Sequence, residues 1–446
     1  MRRAAASNAL PALMACAGAL TLGWLGLYGF AWNDYDTEAR PAVEALLAGH
    51  ISSFLTLAPA YGGSLLERAP FALPATVFGG GALAVYRLLA LPCLLASVLL
   101  GVWLAAGMRA RGRPRPARAV TLALCVANPI TLWALETGHP EELLGGCLCV
   151  AGVVLAARGR ALGAGVLLGL AIANKEWALL AAGPALLAAP RGRRTALLLS
   201  AGAVSSALLA PFLVSGSGGL AAGTRAVASS SSPIFQPWQV WWFLGHHGGL
   251  VRGLFGAPKP GYRIPPDWVG LVSHPLVILA GAAVTGAVAR RLRGRRLAER
   301  QALLMLALVL LARCVLDSWD TMYYTLPFVL ALLAWEAAGT SAHPPLLSLA
   351  ATVMVWLSFQ WLPEHVSPDI QSAVFLCWTL PLAGALAVRL AGRARPGADD
   401  AREQHGRTRR AQEMTVSSLG SLVRTSRVPS PTATRSSMRT PSSPGR

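Results

Sequence analysis

The chain has 446 residues, of which 54% are hydrophobic and only 13% are charged. Because soluble domains carry about 25% charged residues, this composition excludes a soluble globular protein. The net charge of +19 does not indicate a nucleic-acid partner, since the arginines stand in short clusters between apolar runs, as the positive-inside pattern of membrane proteins requires.

The first half of the chain predicts helices that run between basic and polar loops. Two arginines after Met1 place the N-terminus in the cytoplasm, and the first apolar helix ends near Phe30. A second helix, at about 83–107, returns to a loop with five arginines, and two more helices flank the stretch ETGHPEE. Residues 162–190 lie between two basic loops but are too short for two spans of about 20 residues each. They predict two short or tilted helices, whose turn NKEW lies near the outer surface.

The second half continues this alternation. A helix at 195–214 opens a long outer loop, 215–268, and later helix pairs flank DSWDTMYY and LPEHVSPDIQ outside. The predicted fold class is an all-α, polytopic integral membrane protein of about twelve transmembrane helices, with both termini cytoplasmic. Residues 1–391 form the membrane domain. Residues 392–446, rich in Ser, Pro, Thr and Arg, predict a disordered basic tail.

The outer loops hold almost all of the acids, histidines and tryptophans, which indicates an extracytoplasmic functional face. In the first outer loop, 32–80, Asp34 and Asp36 directly follow the first helix. In one interpretation, one carboxylate is a catalytic general base and the other orients an acceptor hydroxyl or binds a metal. In the other, Asp36 caps an amphipathic helix that begins at Thr37.

The stretch GHPEE opens the fourth predicted helix. A proline and two glutamates are ordinary residues at a helix start, because proline needs no N–H partner there and carboxylates favour the positive end of the helix. Helix-start preferences do not explain a histidine beside the membrane interface. We therefore take His139 and Glu141 as candidate substrate-binding residues.

Lys175 is one of only two lysines in a chain that otherwise uses arginine, and it lies with Glu176 inside an apolar segment. Charges at membrane depth are costly and face a cavity or one another. Lys175 and Glu176 therefore predict either a site for a phosphate or another polar substrate group, or an ion pair at the tip of a loop.

Arg313 is a second charge inside an apolar helix, and Asp317 lies four residues later on the same helix face. The two predict either a structural ion pair or a phosphate site. Tyr323 and Tyr324 follow, and they are either substrate-binding residues or members of an interfacial aromatic belt.

The long outer loop contains Trp238, Trp241 and Trp242. We expect their side chains either to lie on the bilayer or to stack on a sugar or a prenyl chain. His246 and His247 have no further ligands at metal spacing, so no metal residue is predicted. The seven cysteines are odd in number and also lack such spacing, which indicates free thiols. No cofactor is firmly expected, and a divalent metal is left open.

Together these features resemble the GT-C membrane glycosyltransferases, and more narrowly the alpha-mannosyltransferase-like glycosyltransferase family 87 group of actinobacteria. The resemblance covers about residues 9–391. It rests on the acidic first outer loop WNDYD, its amphipathic helix, about a dozen spans, and the stretches GHPEE, ANKEW and RCVLDSWDTMYY. It implies a polyprenyl-phosphate sugar donor, an inverting transfer, and Asp34 or Asp36 as the base. The Asp-Tyr-Asp spacing leaves open which acid acts and whether a metal is used.

The function implied is transfer of a sugar, mannose or a related hexose or pentose, to an extracytoplasmic glycolipid or glycan acceptor at the plasma membrane. Lys175 and Arg313 would meet the donor phosphate at membrane depth. A transporter or lipid flippase would use the same charges, although transporters often show two related halves and no convincing repeat is evident here. A noncatalytic membrane partner on the same scaffold is a third alternative.

Overall fold

The computed structural model describes residues 17–19, 34–214, 235–247, 251–252, 258–259 and 261–392. Six helical segments in these residues are long and apolar enough to cross a membrane, and three further apolar helices are shorter. The prediction of an all-α polytopic membrane protein is confirmed. The total of about twelve spans stays a prediction, because most of the first predicted span lies outside the described residues, as does the tail from residue 393.

The helices of the first half begin in the first loop and continue through the basic loops. A π-helical turn (Tyr35–Ala39) leads into this series. The helices are α1 (Arg40–Leu47), α2 (Ile51–Leu57), α3 (Gly62–Val77), α4 (Ala82–Ala110), α5 (Arg115–Val126), α6 (Pro129–Thr137), α7 (Glu141–Ala157), α8 (Ala161–Asn174), α9 (Ala182–Ala188) and α10 (Arg194–Val214). Short 3₁₀ turns at Glu176–Ala181 and Arg191–Arg193 precede α9 and α10.

The second half begins with small strand pairs in the long loop. Strands β1 (His246–His247) and β4 (Arg263–Ile264) pair antiparallel, as do β2 (Val251–Arg252) and β3 (Pro258–Lys259). The helices that follow are α11 (Asp267–Leu292), α12 (Glu299–Leu316), α13 (Leu326–Ala337), α14 (Leu346–Trp356), α15 (Leu362–His365) and α16 (Pro368–Gly392). A 3₁₀ turn (Met322–Thr325) precedes α13, and a π-helical turn (Leu357–Trp361) joins α14 to α15.

Two short helical segments replace a full hairpin between the basic loops, as the sequence predicts. Helix α8 ends at Asn174, Lys175 has an extended backbone (φ −157°, ψ 134°), and the chain resumes in the 3₁₀ turn and α9. A similar break divides α5 from α6. There the side chain of Asn128 accepts a 2.9 Å hydrogen bond from the Ile130 N–H and caps α6.

Ion pairs connect α7 and α12 at both ends, so the two helices run antiparallel. Arg158 contacts Glu299 at 2.9 Å beside the basic loops, and Glu142 contacts Arg313 at 3.5 Å at the opposite end. Sixteen residues separate Glu142 from Arg158, a rise of about 24 Å along a helix. This is close to the ~30 Å thickness of a bilayer core. The second pair therefore lies about one bilayer-core thickness from the first, at the end of the helices away from the basic loops.

Helices α8 and α10 pack side by side in parallel through a Gly-x-x-x-Gly pair, Gly165 and Gly169. A Cβ atom at Gly169 would lie 2.6 Å from the Ala201 carbonyl oxygen and 2.7 Å from the Val204 Cβ atom. Lipid tails provide no hydrophobic force between helices, so close backbone approach through small residues is the main attraction here.

We expect Gly169→Ala to lower the free energy of unfolding by about 1–3 kcal/mol, because the added methyl group would overlap the Ala201 carbonyl oxygen and the Val204 side chain. The matched control is Gly202→Ala on α10, where an added Cβ meets open space. Thermal unfolding of both variants in the same detergent measures the difference. Equal melting temperatures would show that the glycine contact does not hold the two helices together.

Candidate functional site

Asp34 lies at the start of the first-loop helical segment and faces the interior of the helix bundle. The segment begins at Tyr35, and the Asp34 side chain makes no capping hydrogen bond. Instead its Oδ2 atom lies 3.1 Å from Nε2 of His139. Asp36 lies within the first turn and pairs with Arg40 at 3.1 Å. The expectation that Asp36 caps this helix is therefore wrong, because the helix begins earlier than predicted.

His139 occupies the tight turn between α6 and α7. Gly138 has φ +99°, which ends α6, and the His139 N–H then donates to the Ala134 carbonyl at 2.8 Å. The two ring nitrogens face Asp34 (3.1 Å) and Glu141 Oε1 (2.8 Å). Carboxylates only accept hydrogen bonds, so an imidazolium that donates from both nitrogens satisfies both contacts.

The charge state of His139 follows from its surroundings. Burial lowers the pKa of His139, but the nearby Glu141 carboxylate and the hydrogen bonds that the imidazole donates to Asp34 and Glu141 raise it more, and the resulting pKa is about 9. The Tyr323 ring stacks on the imidazole at 4.4 Å between centroids. His139 is therefore a cation at neutral pH that holds Asp34 on one side and Glu141 on the other.

Glu141 is fully buried and is the centre of the ion pairs. Besides His139, its carboxylate contacts the Arg68 guanidinium at 3.3 Å and the Lys175 ammonium at 3.5 Å. The Asn174 side chain donates to the Glu141 carbonyl at 2.9 Å. A carboxylate without solvent costs several kcal/mol unless cations surround it. The three cations around Glu141 meet this requirement.

Glu142 joins the two predicted phosphate-binding cations. Its Oε1 atom lies 3.3 Å from Lys175, and its Oε2 atom lies 3.5 Å from Arg313. The Trp177 indole N–H donates to Glu142 at 3.2 Å. Lys175 is 8% exposed, whereas Arg313 is 4% exposed and lies between the rings of Trp177 (4.9 Å) and Tyr324 (4.2 Å). Of these two cations, Lys175 is the more accessible to a ligand.

Aromatic rings enclose the charges. Lys175 lies 4.8 Å from the centre of the Tyr61 ring, and the Tyr61 hydroxyl donates to Glu38 at 2.8 Å. Tyr323 is buried against His139, and Tyr324 is half-buried against Arg313. Both tyrosines were candidates for an interfacial belt. That interpretation is wrong for Tyr323, which is buried, and stays an alternative for half-buried Tyr324.

The acids that lie nearest to Lys175 and Arg313 in the sequence are not their ion-pair partners in the structure. Glu176 is exposed, and its neighbour Lys175 pairs with Glu141 and Glu142. Asp317 is buried, but its close contact is with His274 at 3.4 Å, and it accepts a 2.9 Å hydrogen bond from the Trp319 N–H. The predicted pairs Lys175–Glu176 and Arg313–Asp317 are therefore replaced by pairs between distant segments.

The tryptophans of the long loop fasten that loop to the later helices. Indole N–H groups donate from Trp238 to the Ser358 carbonyl (2.9 Å), from Trp241 to the Leu316 carbonyl (2.7 Å), and from Trp242 to the Asp369 carboxylate (2.8 Å). Trp238 and Trp242 are buried. The expectation that they lie on the bilayer or stack on a ligand is wrong for these two residues.

Within the described residues, no three histidine, cysteine or acidic side chains form a group that could hold a metal ion. His246 and His247 are exposed on β1. The six described cysteines are free thiols, as predicted, and five of them are buried.

An open groove of about 360 Å³ lies beside the first loop. Tyr35, the residue after Asp34, lines it together with Glu44 and Thr76, and apolar residues from Leu47 to Val85 complete the wall. Its volume falls within the range of small-molecule sites. The groove therefore lies on the side of the first-loop helices, and Asp34 is not one of its lining residues.

Sequence reasoning missed Arg68, Tyr61 and Trp177. A signal existed for Arg68, which follows Glu67 in the otherwise apolar helix α3 and is 3% exposed. Charges in an apolar helix require partners, and that rule was applied to Lys175 and Arg313 but not to the first loop. No comparable signal marks Tyr61 or Trp177, because aromatic residues are common at membrane boundaries.

Residues 63–316 of the chain match glycosyltransferase family 87. No curated protein and no solved structure matches the chain. The matched stretch contains the ion-paired residues from Arg68 to Arg313, whereas Asp34 precedes it. Because the match covers more than half of the chain and the structure has membrane-spanning helices, the protein is a membrane glycosyltransferase that belongs to glycosyltransferase family 87.

Proposed function

We propose that the protein transfers a sugar, mannose or a related hexose or pentose, from a polyprenyl-phosphate donor to an extracytoplasmic glycolipid or glycan acceptor. The observation that carries this proposal is the contact of partly exposed Asp34 with His139, at the edge of a buried cluster of cations. The reaction is a direct displacement. The acceptor oxygen bonds to the anomeric carbon, the bond from that carbon to the phosphate oxygen breaks, and Asp34 takes the hydroxyl proton.

Asp34 has the exposure and the partner that a general base needs. Its side chain is 32% exposed, so an acceptor hydroxyl can reach it, and one of its oxygens is fixed by His139. A positioned base contributes about 10²–10⁴-fold to a rate. Asp36 lacks this arrangement, since its partner is Arg40 on the same helical segment.

The cluster has a net positive charge that suits a phosphodiester. Its positive groups outnumber its carboxylates by one when His139 is protonated. The positive groups are Arg68, His139, Lys175 and Arg313, and the carboxylates are Asp34, Glu141 and Glu142. A sugar phosphodiester carries one negative charge. We assign its phosphate to Lys175, and we assign to Arg313 the role of holding Glu142 in place.

The groove lined by Tyr35, the residue after Asp34, is a candidate place for the acceptor. Glu44 on its wall would repel a phosphate, whereas carboxylate and hydroxyl groups suit the hydroxyls of a sugar. The acceptor would then occupy this groove while the donor phosphate binds at Lys175. This division fits an enzyme whose donor is confined to the bilayer.

The alternative functions differ from the proposed one in whether the protein catalyses sugar transfer. A transporter or flippase would need the intramembrane charges but no base, and the glycosyltransferase family favours an enzyme. A noncatalytic partner would keep the ion pairs and show no transfer. Turnover of a polyprenyl-phosphate sugar by the purified wild-type protein separates these cases.

The first prediction for this function concerns the side of the membrane. With both termini cytoplasmic, a cysteine replacing exposed Ser53 should react with an impermeant maleimide in intact cells. A cysteine replacing exposed Arg115 should react only after permeabilisation. A Cys377→Ser background removes the exposed native thiol. Labelling of position 115 in intact cells would reverse the orientation.

The second prediction concerns the base. Asp34→Asn should reduce sugar transfer by about 10²–10⁴-fold, whereas Asp36→Asn, the same change two residues away, should keep most of the activity. Transfer rates and thermal stability are measured on both variants. If Asp34→Asn retains wild-type turnover, the proposed base is incorrect.

The third prediction concerns Lys175. Lys175→Met should destabilise the fold by about 3–5 kcal/mol, because it removes the cation that Glu141 and Glu142 share in a buried cluster. Adding Glu142→Gln should recover part of this stability but not the donor affinity. Glu176→Gln, adjacent and exposed, is the control for both measurements. A normal donor KM in the double variant would show that Lys175 does not bind the donor.

A further inference from the structure

We propose that Glu141 is a positioning residue that acts through His139: it keeps the imidazole charged and oriented so that Asp34 presents one free oxygen to the acceptor. This inference rests on the proposed function, because it assigns Asp34 as the base. Asp34, His139 and Glu141 form one chain of contacts, with distances of 3.1 Å and 2.8 Å between successive groups.

Glu141 cannot be a substrate ligand in this structure. It is fully buried, and its carboxylate is occupied by His139, Arg68 and Lys175. The sequence identified it as a substrate-binding candidate, but its contacts lead inward. Its connection to the exposed part of the site runs through the imidazole ring, which is itself 4% exposed.

The orientation of His139 is determined on three sides. The backbone turn at Gly138 fixes the Cα position, the Tyr323 ring stacks on one face at 4.4 Å, and the Tyr61 ring meets the imidazole edge-on at 5.9 Å. Rotation about the side-chain bonds is then limited by Glu141 at Nδ1. With Nδ1 held, Nε2 points at Asp34 Oδ2, and no hydrogen bond or ion pair from the described residues holds the second Asp34 oxygen.

The groups around His139 also determine the pH range in which it donates hydrogen bonds to both Asp34 and Glu141. Asp34 and Glu141 face it with negative charge, Lys175 faces it with positive charge, and Tyr61 and Tyr323 face it as neutral rings. The His139 pKa of about 9 lies above its usual value of 6.5, so the double hydrogen bond is present at neutral pH. It is lost as pH rises through about 9, when one ring nitrogen can no longer donate.

The test compares pH profiles of sugar transfer. We expect wild-type kcat to fall above about pH 9, and we call this fall the alkaline limb. Glu141→Gln should move the alkaline limb to lower pH by about one unit or more, since His139 loses an anionic partner. The variant should also lower kcat roughly 10- to 100-fold at pH 7 through misplacement of the base, with little change in donor KM.

Two variants and one spectroscopic measurement keep the test decisive. Glu141→Asp retains the charge and should keep the alkaline limb near its wild-type position, even where stability falls. Glu299→Gln makes the same charge change at the far end of α12 and should leave the profile unchanged. Selective ¹⁵N-histidine NMR, assigned with His139→Asn, follows the imidazole titration directly and should shift in parallel with the limb.

The outcomes separate this inference from the proposed function. If the wild-type protein transfers sugar but Glu141→Gln keeps the wild-type alkaline limb, Glu141 has a structural role only. A shifted His139 titration without a shifted rate profile would overturn the inference in the same way. If the wild-type protein turns over no donor, the proposed function fails, and the positioning role fails with it.

Discussion

The buried carboxylate of Glu141 is the group on which the arrangement of the site depends. An ion without water is stable only among opposite charges with good geometry, and Glu141 obtains them from Arg68 on α3, His139 in the turn before α7, and Lys175 after α8. Three segments far apart in sequence are thereby fixed around one side chain. In a membrane, where apolar packing alone does not distinguish protein from lipid, such polar contacts specify which helices meet. The same contacts that hold the bundle therefore also position the reactive groups.

The sequence predicts which residues belong to the site better than it predicts their partners. His139, Lys175 and Arg313 could be identified because a charge near or within an apolar segment needs an explanation. Their partners could not, since local rules favour the nearest opposite charge, such as Glu176 or Asp317. The actual partners of Lys175 and Arg313 are carboxylates on α7, which lie more than thirty residues from Lys175 and farther still from Arg313. Pairing of this kind is a property of helix packing, which periodicity and spacing do not contain.

The first loop shows how a small shift changes a role. The expected helix with Asp36 as its cap would have left both acids at the surface. Because the π-helical turn begins at Tyr35, side chains two positions apart point to nearly opposite sides of the segment. Asp34 consequently faces His139, and Asp36 faces Arg40. The register of one turn thus gives the two acids, between which the sequence does not choose, different partners. The fold as a whole was easier to predict, since arginine clusters and apolar runs each report on the bilayer directly.

The charge balance of the cluster bears on the chemistry of the proposed reaction. A phosphodiester donor brings one negative charge to a cluster with one positive charge in excess, so the bound state is neutral. During transfer the leaving phosphate gains a second negative charge, since a phosphate monoester carries about −1.5 to −2 at neutral pH. At the same step Asp34 takes the acceptor proton and loses its own negative charge, which increases the excess positive charge of the cluster by one. The seven side chains of the cluster and the phosphate can therefore remain close to electroneutral from donor to product, without a large movement of buried charge. His139 must stay protonated throughout for this charge balance to hold. The Glu141 carboxylate, which stabilises the imidazolium, therefore matters as much as the Asp34 carboxylate.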